Sequence, residues 1–153
     1  MTQPIVPGIN LPPAPAPLTL ATLRTQLPAL MEPLREGFGA RLSALRPGAP
    51  VAAERVPLLF DAHVLALGFA EQPEQVAREL ATLVSQRFAD DAGAQDVASA
   101  GEAFLWALRD TFADAFTPAV GASVREALAM LKSLTSRAVQ HRTGEFAAVP
   151  RAP

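Results

Sequence analysis

Between Leu20 and Leu134, apolar residues return every three or four positions, and nowhere does the chain settle into a long period-two alternation. That spacing lines one face of an α-helix and cannot line one face of a strand, so it commits the chain to an all-α fold. Other strand signals are missing too, since there is no tyrosine and no Asn-Gly or Asp-Gly hairpin turn. With 153 residues, half of them hydrophobic and 18% charged, the chain has enough apolar material for one core of ordinary size.

The pattern divides into about six helices. Thr19 is the cap of the first, which places Leu20, Leu23, Leu27 and Leu30 on one face before Pro28 and Pro33 bend or break it. A second carries Leu34, Phe38, Leu42 and Leu45 and stops at RPGAP, residues 46–50. The third, over about residues 51–69, turns Val56, Leu59, Phe60, Val64 and Leu67 inward, with Pro57 near its first turn and Gly68 at its exit. A fourth opens at Pro73 and shows Val76, Leu80, Leu83 and Val84. DDAGAQD, residues 90–96, reads as a break, after which Ser99 and Glu102 form a capping box for a fifth helix bearing Phe104, Leu105, Leu108, Phe112 and Phe116. Thr117 then caps the last, with Pro118 at its first position and Val120, Val124, Leu128, Leu131 and Leu134 along its stripe.

Flanking segments lack this period. Residues 1–17 hold six of the fifteen prolines and read as a flexible, proline-rich arm, while Gln140 to Pro153 read as a second loose tail, leaving 18–139 as the packed domain. The amino terminus has neither a basic start nor an unbroken apolar segment, so no secretory signal is expected and a cytoplasmic location is the default. No run of 18 apolar residues occurs, which argues against a membrane span. Net charge is -2, with acids and bases interspersed, so no basic footprint for nucleic acid or an anionic membrane is present. The absence of cysteine removes disulfides, thiolate metal sites and cysteine nucleophiles together.

Four segments in order carry a family resemblance. GEAFLWALRDTFADAFTPAVGASVREALAMLKSL, residues 101–134, resembles the final two helices of bacterial globins of the flavohaemoglobin type. PEQVARELATLVSQRF, residues 73–88, is similar to the family's helix that bears the iron-binding histidine, and VPLLFDAHVLAL, residues 56–67, to its distal helix. FGARLSALRP, residues 38–47, resembles the segment F-Y-x-R-x-F that ends in a proline. The resemblance spans about residues 18–138 and implies a globin-like fold with a haem pocket between the third, fourth and fifth helices.

Departures from the family fall on that pocket. In the ungapped register anchored on Pro73 and Gly101, the proximal-histidine position is Arg87, and no histidine lies in residues 64–140. The supporting tyrosine aligns with Val97 and the distal tyrosine with Gly39. The distal polar residue aligns with Arg55, and the chain between Pro47 and Arg55 is several residues shorter than in the family, losing the phenylalanine that packs on the porphyrin. An iron ligand must offer a lone pair from a neutral imidazole held by a further hydrogen bond; arginine is permanently charged and has none to offer. The resemblance therefore implies Arg55, Leu59, Phe60, His63, Arg87, Val97 and Phe104 as pocket-equivalent positions, without a conventional ligand among them.

Each candidate has a bland reading beside the functional one. His63 would be the substitute iron ligand, or else a structural histidine bonded to a backbone group or carboxylate. Arg87 and Arg55 would clamp an anion or a propionate, or else be solvated or ion-paired, Arg87 with Glu79 or Asp91. His141 reads as a complement to a helix terminus, and Trp106 as a pocket wall or a core or interface anchor. Asp90 with Asp91, and Asp110 with Asp114, read as solvated faces. No Gly-x-Ser-x-Gly elbow is present and only two histidines serve as possible bases, so nucleophilic catalysis is not expected.

These readings lead to a globin-like binding or regulatory module without haem, taking a partner protein or an apolar small molecule. The alternative is a haem-binding globin for dioxygen or nitric oxide, its iron held by His63. A third reading is a generic helical adaptor. A haem-free core is expected to collapse, and a homodimer is expected through the last two helices around Trp106, Val124, Leu128 and Leu131.

Overall fold

In the computed structural model residues 18–148 are described, and the proline-rich arm and residues 149–153 lie outside them. The described part is all-helical: α1 (Leu20–Leu45), α2 (Arg55–Ala66), α3 (Pro73–Arg87), α4 (Asp91–Phe112), a 3₁₀ turn (Ala113–Ala115) and α5 (Pro118–Ala148). The all-α class is as expected, with five α-helices where six were expected, because the first two are one. None of the described helices is long and apolar enough to cross a membrane.

Pro28 and Pro33 sit inside α1 without ending it. Each removes one backbone hydrogen bond and costs about 3 kcal/mol in a helix interior. Both, however, lie on the exposed side, where the freed carbonyls can reach water, while Leu23, Leu27, Leu34, Phe38 and Leu42 form an unbroken buried stripe on the other. Five such side chains stabilise by about 1.5–3 kcal/mol each, which outweighs the two prolines. Thr19 caps this helix as expected, its Oγ1 accepting the Thr22 N–H at 3.1 Å. Pro57 falls in the first turn of α2 and Pro73 is the first residue of α3.

The DDAGAQD stretch is a helix start rather than a break. Asp90 is the N-cap of α4, its carboxylate accepting the Gly93 N–H at 2.6 Å, so Ser99 and Glu102 are interior to the helix and form no capping box. Gly93 is required there, since a Cβ on it would lie 2.4 Å from the Phe88 carbonyl oxygen. The glycine and aspartates that look like a loop are what a tight α3–α4 connection demands.

The corner after α4 passes through Ala113, at φ 48° and ψ -125°, a region that disfavours a residue with a Cβ. Thr117 then caps α5, its Oγ1 accepting the Val120 N–H at 3.3 Å, and Pro118 is the first helical residue as expected. Val120, Val124, Leu128 and Leu131 are buried, and Thr135, also buried, donates its hydroxyl to the Leu131 carbonyl at 2.9 Å. The helix continues through Gln140 to Ala148, past the end of its apolar period. Once nucleated by packing, a helix propagates at little cost. The most extensive pairing is α1 with α4, and α5 packs across α2, α3 and α4.

Candidate functional site

The centre of the core is an aromatic cluster drawn from three helices. Phe38 of α1 lies edge-on to Phe60 of α2 at 5.4 Å between centroids and to Phe104 of α4 at 6.3 Å, and Phe60 meets Phe104 at 5.8 Å. Such edge-to-face contacts add about 0.5–1.5 kcal/mol each beyond burial. The His63 ring joins them, 5.6 Å from Phe104 and 6.5 Å from Phe38.

His63 is only 1% exposed. Its Nδ1 lies 2.7 Å from the Leu59 carbonyl oxygen one turn back, and because a carbonyl can only accept, Nδ1 carries the proton in the neutral ring. Nε2 lies beside Gly101 of α4, where a Cβ would stand 3.8 Å away, and the Val97 carbonyl also acts on the ring. Burial pushes this imidazole down to about 4, and the two carbonyls, which favour the protonated form, offset only part of that. The ring is therefore neutral near pH 7.

Of the seven pocket-equivalent positions, the fold brings Leu59, Phe60, His63, Val97 and Phe104 together in this core, none more than 2% exposed. A residue that lines a ligand-sized cavity keeps accessible surface; these do not. A planar macrocycle would have to part Phe38 from Phe60 and Phe104, so the residues as packed do not fit a haem. Leu83 is partly buried against the core rather than central to it. Arg87 is exposed at the end of α3, and its contribution is its carbonyl, which accepts from Arg55 Nη2 at 3.0 Å.

Arg55 belongs to a second constellation, at the rim. Asp96, 5% exposed, accepts Arg55 Nη1 on Oδ2 at 2.7 Å and Arg46 Nη1 on Oδ1 at 3.1 Å. Arg46 also reaches the Ser99 hydroxyl at 3.4 Å, Arg55 reaches Asp90 at 3.6 Å, and the Arg55 guanidinium lies 5.6 Å over the Phe88 ring. Hydrogen bonding to Asp96 holds Arg55 above its ordinary pKa against partial burial, with Asp90 adding attraction. The ends of α1, α2 and α3 are thus tied to the first turns of α4. Two guanidinium groups face two carboxylates, so the cluster is internally neutralised and offers neither a free base nor a free anion site.

Asp96 was not singled out from sequence, although it was legible there. Extended backward, the buried stripe Ala107, Ala103, Ala100 reaches position 96, where an aspartate in core register signals a paired charge. Placing the helix start at Ser99 hid it. Asp110 and Asp114 are exposed, as expected, and His141 is exposed near the end of the packed region. Among the described residues no three His, Cys, Asp or Glu side chains converge as a metal centre would need.

Two surface features remain. Trp106 on α4 is 37% exposed, with the Arg41 guanidinium 5.3 Å over its ring and its edge close against Gly37 of α1, where a Cβ would stand 3.8 Å away. It is a surface anchor rather than a core residue. Val124, Leu128 and Leu131, expected to share a pairing face with it, are instead buried inside the fold, because α5 spends its apolar stripe on three neighbouring helices. The second feature is a groove of about 360 Å³ between the start of α1, the turn after α2 and α5, walled by Leu20, Phe69, Ala70 and Ala127 with Ser123 and Glu126 on one side.

The chain matches no protein-family model and no curated protein.

Proposed function

We propose that this chain is a globin-like interaction module that works without haem and binds through its surface, to a second copy of itself or to a partner protein, rather than through an internal cofactor. The observation that carries this reading is the mutual packing of Phe38, Phe60, His63 and Phe104 where the resemblance would put haem. Arg87, exposed and permanently charged, supports it from the proximal side. Protein made in a haem-sufficient host is expected to be colourless and to give no stoichiometric Soret band on titration with haemin. A strong band at one haem per chain would overturn the reading.

One observation favours the alternative. The Nδ1 bond to Leu59 leaves Nε2 as the lone-pair end of His63, the arrangement that a metal-binding imidazole needs. If a Soret band does form, His63→Ala should abolish it while Arg87→Ala leaves it, and survival of the band in the first variant would remove this reading as well.

For self-association we propose the Trp106 face of α4. Tryptophan and arginine dominate the energetics of interfaces, and here an indole is held between Arg41 and the close-lying backbone at Gly37. Sedimentation at micromolar concentration is expected to show a dimer, and Trp106→Ala to weaken it roughly tenfold or more. A wild-type monomer across that range would eliminate the proposed face.

A further inference from the structure

The groove beside Leu20 opens where the chain enters its packed domain. Leu18 is partly buried against the core, and Thr19 is extended at φ -108° and ψ 165°, so the backbone arrives alongside the groove before turning into α1. Upstream lie residues 1–17, outside the described residues, with six prolines, the apolar side chains Ile5, Val6, Ile9 and Leu11, and no charged side chain in a chain that is 18% charged. An uncharged segment meets no desolvation penalty for ionic groups on an apolar wall. Six prolines in seventeen residues disfavour a helix and favour the polyproline conformation.

That conformation has three residues per turn, which aligns Pro12, Pro15 and Leu18 on one ridge. Leu18 is partly buried against the core, so the ridge ends at a residue already packed on the domain. Pro12 to Pro15 is also a P-x-x-P spacing, the form of segment that docks on aromatic-walled grooves because little conformational entropy is left to lose. Phe69 supplies the aromatic wall here, and Leu20 and Ala127 the rest of the apolar surface. From Pro12 to Leu18 the chain reaches roughly 19 Å at about 3.1 Å per residue, enough to cross a groove of this size.

We propose that the chain's own residues 12–17 occupy this groove, with Pro12 and Pro15 against Phe69, as a tethered internal ligand. An attached segment competes at an effective concentration in the millimolar range, so any outside proline-rich or apolar segment must displace it. Whether haem binds the core has no bearing on this contact.

The absence of cysteine makes the test clean. Two full-length variants are compared under mild oxidation: Ala16→Cys with Ser123→Cys, which joins the arm to the groove and leaves the ridge of Pro12 and Pro15 intact, and Ala16→Cys with Thr25→Cys. Thr25 is exposed, lies on α1 away from Leu20 and is only nine residues along the chain from Ala16, so chain connectivity alone favours the second pair. The first pair is expected to close an intramolecular disulfide roughly tenfold faster than the second. Adding Ala70→Arg, an exposed substitution that places a charge at the groove mouth, should bring the fast pair down to the slow rate. Equal rates for the two pairs, or fast closure indifferent to Ala70→Arg, would overturn the proposal. Predominant disulfide-linked dimers would also overturn it, since the occupant would then be a second copy's arm.

Discussion

Acidification from about pH 7.5 to pH 4 is expected to remove about 3 kcal/mol of stability through His63 alone. Its folded-state pKa is about 4 against an ordinary 6.5, a depression set by burial. Above 6.5 the ring is neutral in both states and its contribution to stability is complete. As the pH falls through the window from 6.5 to about 4, the unfolded chain takes up a proton that the folded chain refuses, and stability drains away. Below about 4 this group has no further effect. No charged side chain shares the ring's observed contacts, which are Phe38, Phe104 and the backbone of Leu59 and Val97. Urea midpoints measured for the wild type and His63→Gln at pH 7.5 and 4.5 isolate the effect, since every carboxylate titration is common to both. Most of the predicted change should be present at the lower pH. Parallel pH profiles would show that the ring is not the neutral, buried group described.

Replacing Asp96 with alanine is expected to destabilise the fold by about 2–4 kcal/mol. Arg46 and Arg55 converge on this carboxylate with side chains only 18% and 21% exposed, so its removal leaves two partly desolvated cations facing each other. Asp90 compensates little, because it meets Arg55 at 3.6 Å with its own side chain 56% exposed. The comparison variant is the triple replacement Asp96→Leu, Arg46→Met and Arg55→Met, which should recover most of the loss because it removes the charges as well as their pairing. A midpoint shift equivalent to less than about 0.5 kcal/mol in the single variant would place this cluster among ordinary surface pairs.

Local signals were legible wherever a single residue's chemistry decides the outcome. Thr19 and Thr117 cap because a hydroxyl satisfies an orphan N–H, and Pro57, Pro73 and Pro118 stand in first turns because no N–H is required there. The same composition pointed the wrong way at α4, where Gly93 and its acidic neighbours read as a loop. Glycine is required there by the approach of the Phe88 carbonyl five residues earlier, a consequence of how tightly the chain turns between α3 and α4 that composition does not record.

The sequence by itself determined the helical class and most of the large buried apolar residues, though not Phe88 or the buried alanines of α2 and α4, since periodicity records which face of each helix avoids water. Tertiary structure decided which of those faces meet. Burial against α4 and its neighbours carries α1 across Pro28 and Pro33, and three-sided packing of α5 hides Val124, Leu128 and Leu131 while Trp106 stays out. It also decided how the core positions singled out by the resemblance are packed. The resemblance assigns Leu59, Phe60, His63, Val97 and Phe104 to a pocket wall, yet whether such side chains surround a space or fill it depends on the distance between helices, which no pattern along one chain encodes.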